Sequence, residues 1–496
     1  MSSENPACRG IAERAGRTVR RRGASAGRRH VSRGLVAAIA VGALAVAAPP
    51  AAASWSPPQT LSDPHTFLIF GAIGFTARGG TVVSWSRQDG IGDDGAHGVS
   101  MVSRASATAA FGPERALPAD VVAGPLTYGS GRVLIARLAE RRISRRVLLQ
   151  TLSVQIGDLE GRFGRAQIVA RARTINARSF LVRTPIVHVR LAGNARGDAA
   201  LVWREDRGPG GRGRVHVSVR RAGRPFGHPI RLTQEHIRDV SVAVGAAGEV
   251  LVAWDGVGRI RCRYQGLVDG GFGALQTLRS QPAFSAAIQT AIGRDGRAWV
   301  AWTAPALSEG GTHGQVFVQA ATRRRGARRR FGRAQLLEHA PTTATASPVS
   351  LAVDARGEAI LGWALWDAGG GESGISAIRA AHARASGPPR IEDLARLVAG
   401  EPSATPLVAV ADDGRAIVTW SESLDPLAAT ARLAASVQSP DGRWGPSDVI
   451  ATGPSPPIAL ATAFSAGEGP PVVLLAARAP GARPEAVVQL TTRDGA

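Results

Sequence analysis

A chain of 496 residues is too long for one ordinary compact core, so it must divide into domains or build itself from repeats. Its 60 glycines and 31 prolines, with no long helix-period apolar run after residue 54, exclude a helical protein and favour short strands joined by tight turns. The formal charge of +22 comes entirely from arginine, since the chain has no lysine. With Ala and Gly also plentiful this reads as a coding bias, and no aromatic-interleaved basic motif accompanies it, which argues against a nucleic-acid partner.

Residues 1–53 have the build of an export signal. A basic stretch ends at Arg33, Leu35 to Ala48 is an apolar run of mostly Ala, Val and Leu, and Ala51 to Ala53 offers small residues for cleavage before Ser54. The apolar run is too short for a comfortable transmembrane helix. Arg28-Arg29 leaves both the general and the twin-arginine export routes open. Cleavage removes nine Arg and two acids, which leaves a net +15. It also removes Cys8, so Cys262 stands alone and no intrachain disulfide is available. The expected product is a secreted or envelope-associated monomer, residues 54–496, with no membrane span and held together by packing alone.

Two interleaved elements recur along that product. The first is a glycine followed six residues later by Trp: Gly79 to Trp85, Gly197 to Trp203, Gly248 to Trp254, Gly296 to Trp302, Gly357 to Trp363 and Gly414 to Trp420. Gly131 to Arg137 keeps the spacing with the Trp replaced, and a degenerate copy ends near Ala477. Before each Trp runs a strand apolar at both parities, such as Val250-Leu-Val-Ala-Trp254, which predicts burial on both faces. A shorter strand precedes the glycine, joined through turn sequences such as Asp354-Ala-Arg-Gly357. The second element is an aromatic followed by Gly or a turn and then a short strand. It appears at Trp55, Phe111, Phe163, Phe226, Phe272, Phe331 and Trp444, with Ser386-Gly387 in a weaker copy.

The seven intervals from Trp55 to Trp444 give a period of about 56 residues holding four strands. That is the size of a propeller blade, too small for an immunoglobulin-like module and too large for a β-helix coil. The fold expected is therefore all-β: an eight-bladed β-propeller of four-stranded antiparallel blades, seven blades being the alternative. The product opens with a fourth-strand element (Trp55 to Leu61) and closes with a third strand (Ala486 to Thr491), so the first strand is expected to complete the last blade and close the ring.

The aromatic turn resembles the Asp-box of bacterial sialidase-like (BNR) repeats, with Ser439-Pro-Asp441-Gly442-Arg-Trp444 as the best copy. The resemblance implies a propeller whose Asp-box turns join third and fourth strands. For a sialidase it would also imply a Tyr nucleophile paired with Glu, an Asp acid and three arginines. Only Tyr128 and Tyr264 exist, and neither falls in an acidic loop.

If the Trp strand is the second of each blade, the loops after it open on one face beside the fourth-to-first connections. They supply Asp89, Asp93, Asp94 and His97; Glu205 and Asp206; Asp255; Glu309 and His313; Trp366 and Asp367; and Glu422. Carboxylates and aromatics around a ring mouth suit sugar hydroxyls or a cationic peptide, while their bland role is to keep loops soluble. Asp89, Asp93 and Asp94 on a Gly-rich backbone are candidate calcium ligands, and no other cofactor is expected. Glu205 and Glu422 are candidate catalytic carboxylates for glycoside hydrolysis. The repeated Trp is expected to pack blade on blade, whereas Trp366 lies beyond the pattern and is a ligand candidate. His188 and His216 read as structural. Opposite turns carry Arg220, Arg221, Arg224 and the run Arg323 to Arg330, so an acidic loop face and a basic turn face are expected. The readings left open are a binding protein for an extracellular glycan or protein, a sialidase-like or other glycosidase, and a scaffold without a small ligand.

Overall fold

The structure is a computed structural model and describes residues 54–65, 67–89, 96–144, 147–175, 185–206, 213–256, 259–266, 270–279, 286–305, 316–324, 330–339, 344–367, 376–384, 387–397, 405–423, 431–453, 457–465, 469–478 and 486–493. Every regular element among them is a β-strand, and the strands form eight antiparallel sheets in chain order. Blade 1 comprises Phe67–Phe75, Thr81–Asp89, Ala96–Arg104 and Arg115–Ala116; blade 2, Val121–Thr127, Val133–Ser144, Val147–Gly157 and Gln167–Ile175. Blade 3 comprises Ile186–Gly193, Ala199–Glu205, Gly213–Arg220 and Ile230–Glu235; blade 4, Val240–Val244, Val250–Asp255, Ile260–Gln265 and Gln276–Arg279. In blade 5 the strands are Ala286–Ile292, Ala298–Pro305, Val316–Arg323 and Gln335–His339. Blade 6 has its first strand in two pieces, Ala344–Ala346 and Ser350–Val353, both paired with Ala359–Asp367, followed by Ser376–Ala383 and Arg390–Leu397. Blade 7 comprises Leu407–Val410, Ala416–Ser423, Ala431–Gln438 and Asp448–Gly453. Blade 8 takes Ile458–Phe464, Pro471–Arg478 and Ala486–Thr492 from the end of the chain and Gln59–Thr60 from its start. This is the eight-bladed propeller.

First strands of successive blades touch one another all the way round, including Phe67–Phe75 against Ile458–Phe464, so they line the centre of a closed ring. Closure is made by the leading segment. Gln59 and Thr60 pair with Leu490 and Gln489, Leu61 N–H donates to Val488 O (2.8 Å), and Val488 N–H donates to Ser62 Oγ (2.8 Å). His65 Nε2 then meets Glu114 Oε1 of blade 1 at 3.1 Å, tying the same segment to the other side of the join.

There is no single core. The buried apolar residues fall into eight layers, each shared by two neighbouring blades. The second strand explains why both of its parities are apolar. In Val250–Asp255, residues Val250, Val252 and Trp254 pack with Ala200 and Val202 of blade 3. Leu251 and Ala253, on the other face, pack with Val300 and Trp302 of blade 5. The repeated Trp always faces the preceding blade: Trp85 meets Leu474, Trp203 meets Leu134, Trp363 meets Trp299 and Trp420 meets Ile378. Each of these indoles is almost wholly buried and fills the gap between two sheets.

The turns that join first to second strands share one geometry. In blade 7, Gly414 N–H donates to Ala411 O and Ala411 N–H donates to Arg415 O (2.8 Å), a three-residue loop that needs a left-handed residue at its end. Gly414 supplies it with φ +94°, and its counterparts in the first seven blades, from Gly79 onward, do the same. The aromatic turn has its own constraint. Gly445 N–H, directly after Trp444, donates to Val437 O (2.9 Å), and Gly112, Gly164, Gly227, Gly273 and Gly332 make the same bond in their blades.

A Cβ at Gly414 would meet nothing nearer than Pro440 O at 4.0 Å, so a side chain there costs conformation and not space. Gly414→Ala is expected to lower unfolding stability by roughly 1–2 kcal/mol with an unchanged denaturant slope, and Gly414→Asn by less. Urea unfolding followed by Trp fluorescence measures both.

Candidate functional site

The second strand of every blade runs toward the face where second-to-third loops and blade-to-blade connections lie together, as the repeat requires. Of the residues singled out there, Asp93, Asp94, Glu309 and His313 lie outside the described residues. Asp89 ends its strand paired with Ala96, and His97 pairs with Gln88. Trp366 and Asp367 sit on the second strand of blade 6, opposite Thr345 and Ala344, so Trp366 belongs to the strand and not to the loop after it. Among the described residues no group of three or more His, Cys, Asp or Glu side chains is placed to hold a metal.

Four acids can be followed atom by atom, and each has been drawn into its blade. Glu422 is 1% exposed; its carboxylate accepts from Arg432 Nε on the neighbouring strand and from Trp420 Nε1 at 3.3 Å. Glu205 Oε2 lies 3.0 Å from His216 Nε2, and that imidazole stacks on Trp203 with ring centroids 5.5 Å apart. Asp206 Oδ2 accepts from Arg204 Nη2 at 2.7 Å, and Arg204 Nη1 donates to Ile237 O at 2.7 Å. Asp255 is fully buried, its backbone bonded to Arg238 and Asp239 in the connection from blade 3.

One local pattern recurs at two of the Trp positions. At Trp254 and Trp420 a carboxylate accepts from the buried indole N–H and an Arg of the third strand pairs with that carboxylate, whereas the Trp85, Trp302 and Trp363 N–H groups have no acceptor among the described residues. The cleanest case is one the repeat did not expose: Glu235, on the fourth strand of blade 3, accepts from Trp254 Nε1 (2.6 Å) and Arg261 Nη1 (2.5 Å) of blade 4. In blade 2, where Arg137 replaces the Trp, its guanidinium bonds Asp120 Oδ1 (2.7 Å) and Gln155 Oε1 (2.9 Å). Arg261, Arg432 and His216 sit directly across from, or two residues beyond, the Trp position, a cross-strand relation invisible without the register.

Glu205 and Glu422 are not brought together. They end second strands of blades 3 and 7, four blades apart in a ring of eight and so on opposite sides of its centre, each one strand out from the strands that line it. Two carboxylates acting on one glycosidic bond stand roughly 5–10 Å apart, a distance two strand spacings of about 4.8 Å already consume.

On the turn face Arg224, Arg324 and Arg330 are exposed and residues 325–329 lie outside the described residues, but two of the arginines expected there are buried. Arg323 is 2% exposed and lies over the Tyr264 ring, 3.7 Å from its centroid, and Arg220 is buried against Tyr128 at 5.5 Å. Both arginines end third strands and reach to the preceding blade, so they are inter-blade struts. Burial pushes both phenols up to about 12, against the opposing pull of their arginines. A raised phenol favours folding while it is neutral: that contribution is complete below the ordinary value of 10.0 and lost as pH rises through about 12. Burial likewise pushes the Cys262 thiol up to about 12. The Asp-box-like turn takes the form its resemblance implies. Ser439 Oγ donates to Asp441, Ser439 N–H donates to Arg443 O (2.9 Å), and Gly442 sits at φ +86°.

The loop face also carries a cleft of about 630 Å³ across blades 1 to 3. Ser86 and Gly98 of blade 1, Val122 and Gly124 of blade 2, and Val189 and Arg190 of blade 3 line it. Its floor is first-strand backbone, irregular at Val121 to Leu126 and at Val187 to Arg190, where the pairing register shifts. Arg190 Nη2 stands 3.9 Å from Asp239 Oδ1, whose other oxygen accepts from Ile288 N–H (3.1 Å) in blade 5. The cleft was not among the sequence expectations. Its one local signal is Gly124-Pro125 inside a first strand, a pair that regular pairing does not tolerate.

No family model matches the chain, and no curated protein is similar to it in sequence. Solved structures of similar shape include an ulvan lyase bound to a glucuronate–sulfated rhamnose unit (10% identity, 73% of this chain and 94% of that one, TM-score 0.40). Others are the Penicillium chrysogenum alpha-L-arabinanase complexed with arabinobiose (13%, 62% and 94%, TM-score 0.35) and the NanB sialidase from Streptococcus pneumoniae (9%, 74% and 67%, TM-score 0.33). Likenesses this low carry no argument about the chemistry of this chain. No helix among the described residues is long and apolar enough to cross a membrane.

If Glu422 is a structural acceptor, Glu422→Gln leaves Arg432 and Trp420 poorly matched and is expected to cost roughly 2–3 kcal/mol of unfolding stability. Pairing it with Arg432→Met should recover part of that loss in a double-mutant cycle.

Proposed function

We propose that the protein is an exported binding protein that uses the loop face of its propeller to hold a glycan or a protein segment. The observation that carries this reading is the commitment of the traceable loop-face carboxylates. Glu205, Asp206 and Glu422 each lie against a basic partner of their own blade, so their oxygens are already engaged within the fold. A sialidase-type reaction would also need an accessible Tyr, and both tyrosines are held under arginines of the next blade. What remains on that face is a cleft floored by irregular backbone with one charged wall, Arg190, a form suited to holding a ligand.

Binding and turnover separate in one set of assays on the purified protein. A panel of fluorogenic glycosides is expected to show no hydrolysis above blank, while a glycan array or pull-down gives a saturable partner whose affinity falls about tenfold or more in Arg190→Ala. Hydrolysis that disappears in Glu205→Gln would overturn the reading in favour of a glycosidase.

A further inference from the structure

Blade 2 departs from its neighbours in length. Its second strand runs twelve residues, Val133–Ser144, and its third eleven, Val147–Gly157, against six to nine for the second strands of the other blades. The first strand does not follow. Its last pairing is Val121 with Arg137, and the next bond on that side is Leu138 N–H to Asp120 O at 2.8 Å. Beyond Leu138 the second strand continues, paired on its outer side with Thr151, Gln150, Leu149 and Leu148, while among the described residues nothing pairs with its inner side. The result is a three-stranded tongue on the loop face, next to the cleft, with Ala139 to Ile143 exposed.

Strand parity fixes which groups that edge presents. Leu138 N–H points inward, so the N–H and C=O of Glu140 and Arg142 do too, while those of Ala139 and Arg141 serve the ladder to the third strand. An exposed edge with alternating donors and acceptors is a template for one more strand. Its charge is one-sided. Arg141 aligns with Leu149 and then Arg173, and Ala139 with Thr151 and then Arg171, so one face of the tongue carries three arginines and no acid. Glu140 is on the other face, where its carboxylate accepts from Gln150 Nε2 at 2.5 Å. Gln150 is buried and its Oε1 accepts from Ile186 N–H (2.8 Å), which fastens the tongue to the first strand of blade 3 and holds the edge in place.

We infer that the inner edge of this tongue binds an extended acidic segment of a partner protein by strand addition. Backbone bonds to Glu140 and Arg142 supply the pairing, and alternate acidic side chains face Arg141 on the basic side. The inference rests on the binding reading above and narrows it to a protein partner.

The test uses the purified protein and synthetic peptides of roughly eight residues that alternate Asp with Val or Thr, beside versions with Lys for Asp and versions interrupted by Pro. The acidic peptides are expected to bind, with new hydrogen-exchange protection at the Glu140 and Arg142 amides, and the Lys and Pro versions are expected not to. Arg142→Pro removes an inward donor without touching the ladder to the third strand and should abolish binding. Arg141→Glu, a surface change that leaves the backbone edge intact, should weaken it about tenfold or more. No binding of acidic peptides, binding of the Lys versions as tight, or affinity unchanged in both variants would overturn the inference. A saturable glycan ligand alongside failed peptide capture would overturn it while leaving the loop-face reading intact; loss of both would remove both.

Discussion

The structure depends on a strand that is buried on both sides by different neighbours. Each second strand gives one parity of its side chains to the blade before and the other to the blade after, so no blade has a hydrophobic core of its own. Stability is then a property of the ring, and a ring with an open join would leave one layer half built. This accounts for the leading segment, whose two-residue strand is short but whose bonds to Val488 and Glu114 place it on both sides of the join. Among the described residues the one cysteine, Cys262, is buried and unbridged, so packing and hydrogen bonds hold the ring.

The same packing decides what the acids do. At Trp254 and Trp420 the indole N–H enters a dry layer between blades, and Glu235 and Glu422 accept from it. Arg261 and Arg432, both on third strands, pair with those two carboxylates. In blade 2, with Arg137 in the Trp position, Asp120 and Gln155 accept from the guanidinium. Blade 2 is also where the strands overrun the ring and the neighbouring cleft opens. Blade 2, one of the two blades without the repeated Trp, carries this unusual surface.

Much of the fold was legible because its signals are local and repeated. The Gly-to-Trp spacing located second strands, the Gly in left-handed geometry located the turns, and the order of elements at the two ends announced the closure. The candidate site was much less legible, for physical reasons. Glu205, Asp206, Asp255 and Glu422 read as loop acids because sequence distance does not reveal cross-strand partners, and a one-dimensional view of Arg432 or His216 gives no hint of the carboxylate opposite. Arg220 and Arg323 read as surface charge because their aromatic partners, Tyr128 and Tyr264, belong to the blade before. The cleft and the tongue come from what is missing, a first strand that stops pairing while the second goes on, and a repeat search looks for what recurs.

Residue-resolved native-state hydrogen exchange tests the closed, mutually buried ring most directly. Because every second strand is covered by two neighbours, the amides of Val202, Val252, Val300 and Val418 should exchange only through one common global opening. The amides of Leu61 and Val488 at the join should share that protection. Exchange at the join faster by orders of magnitude than in blades 3 to 7, or a graded series of openings from one blade to the next, would contradict a closed ring and show an open row of independent modules.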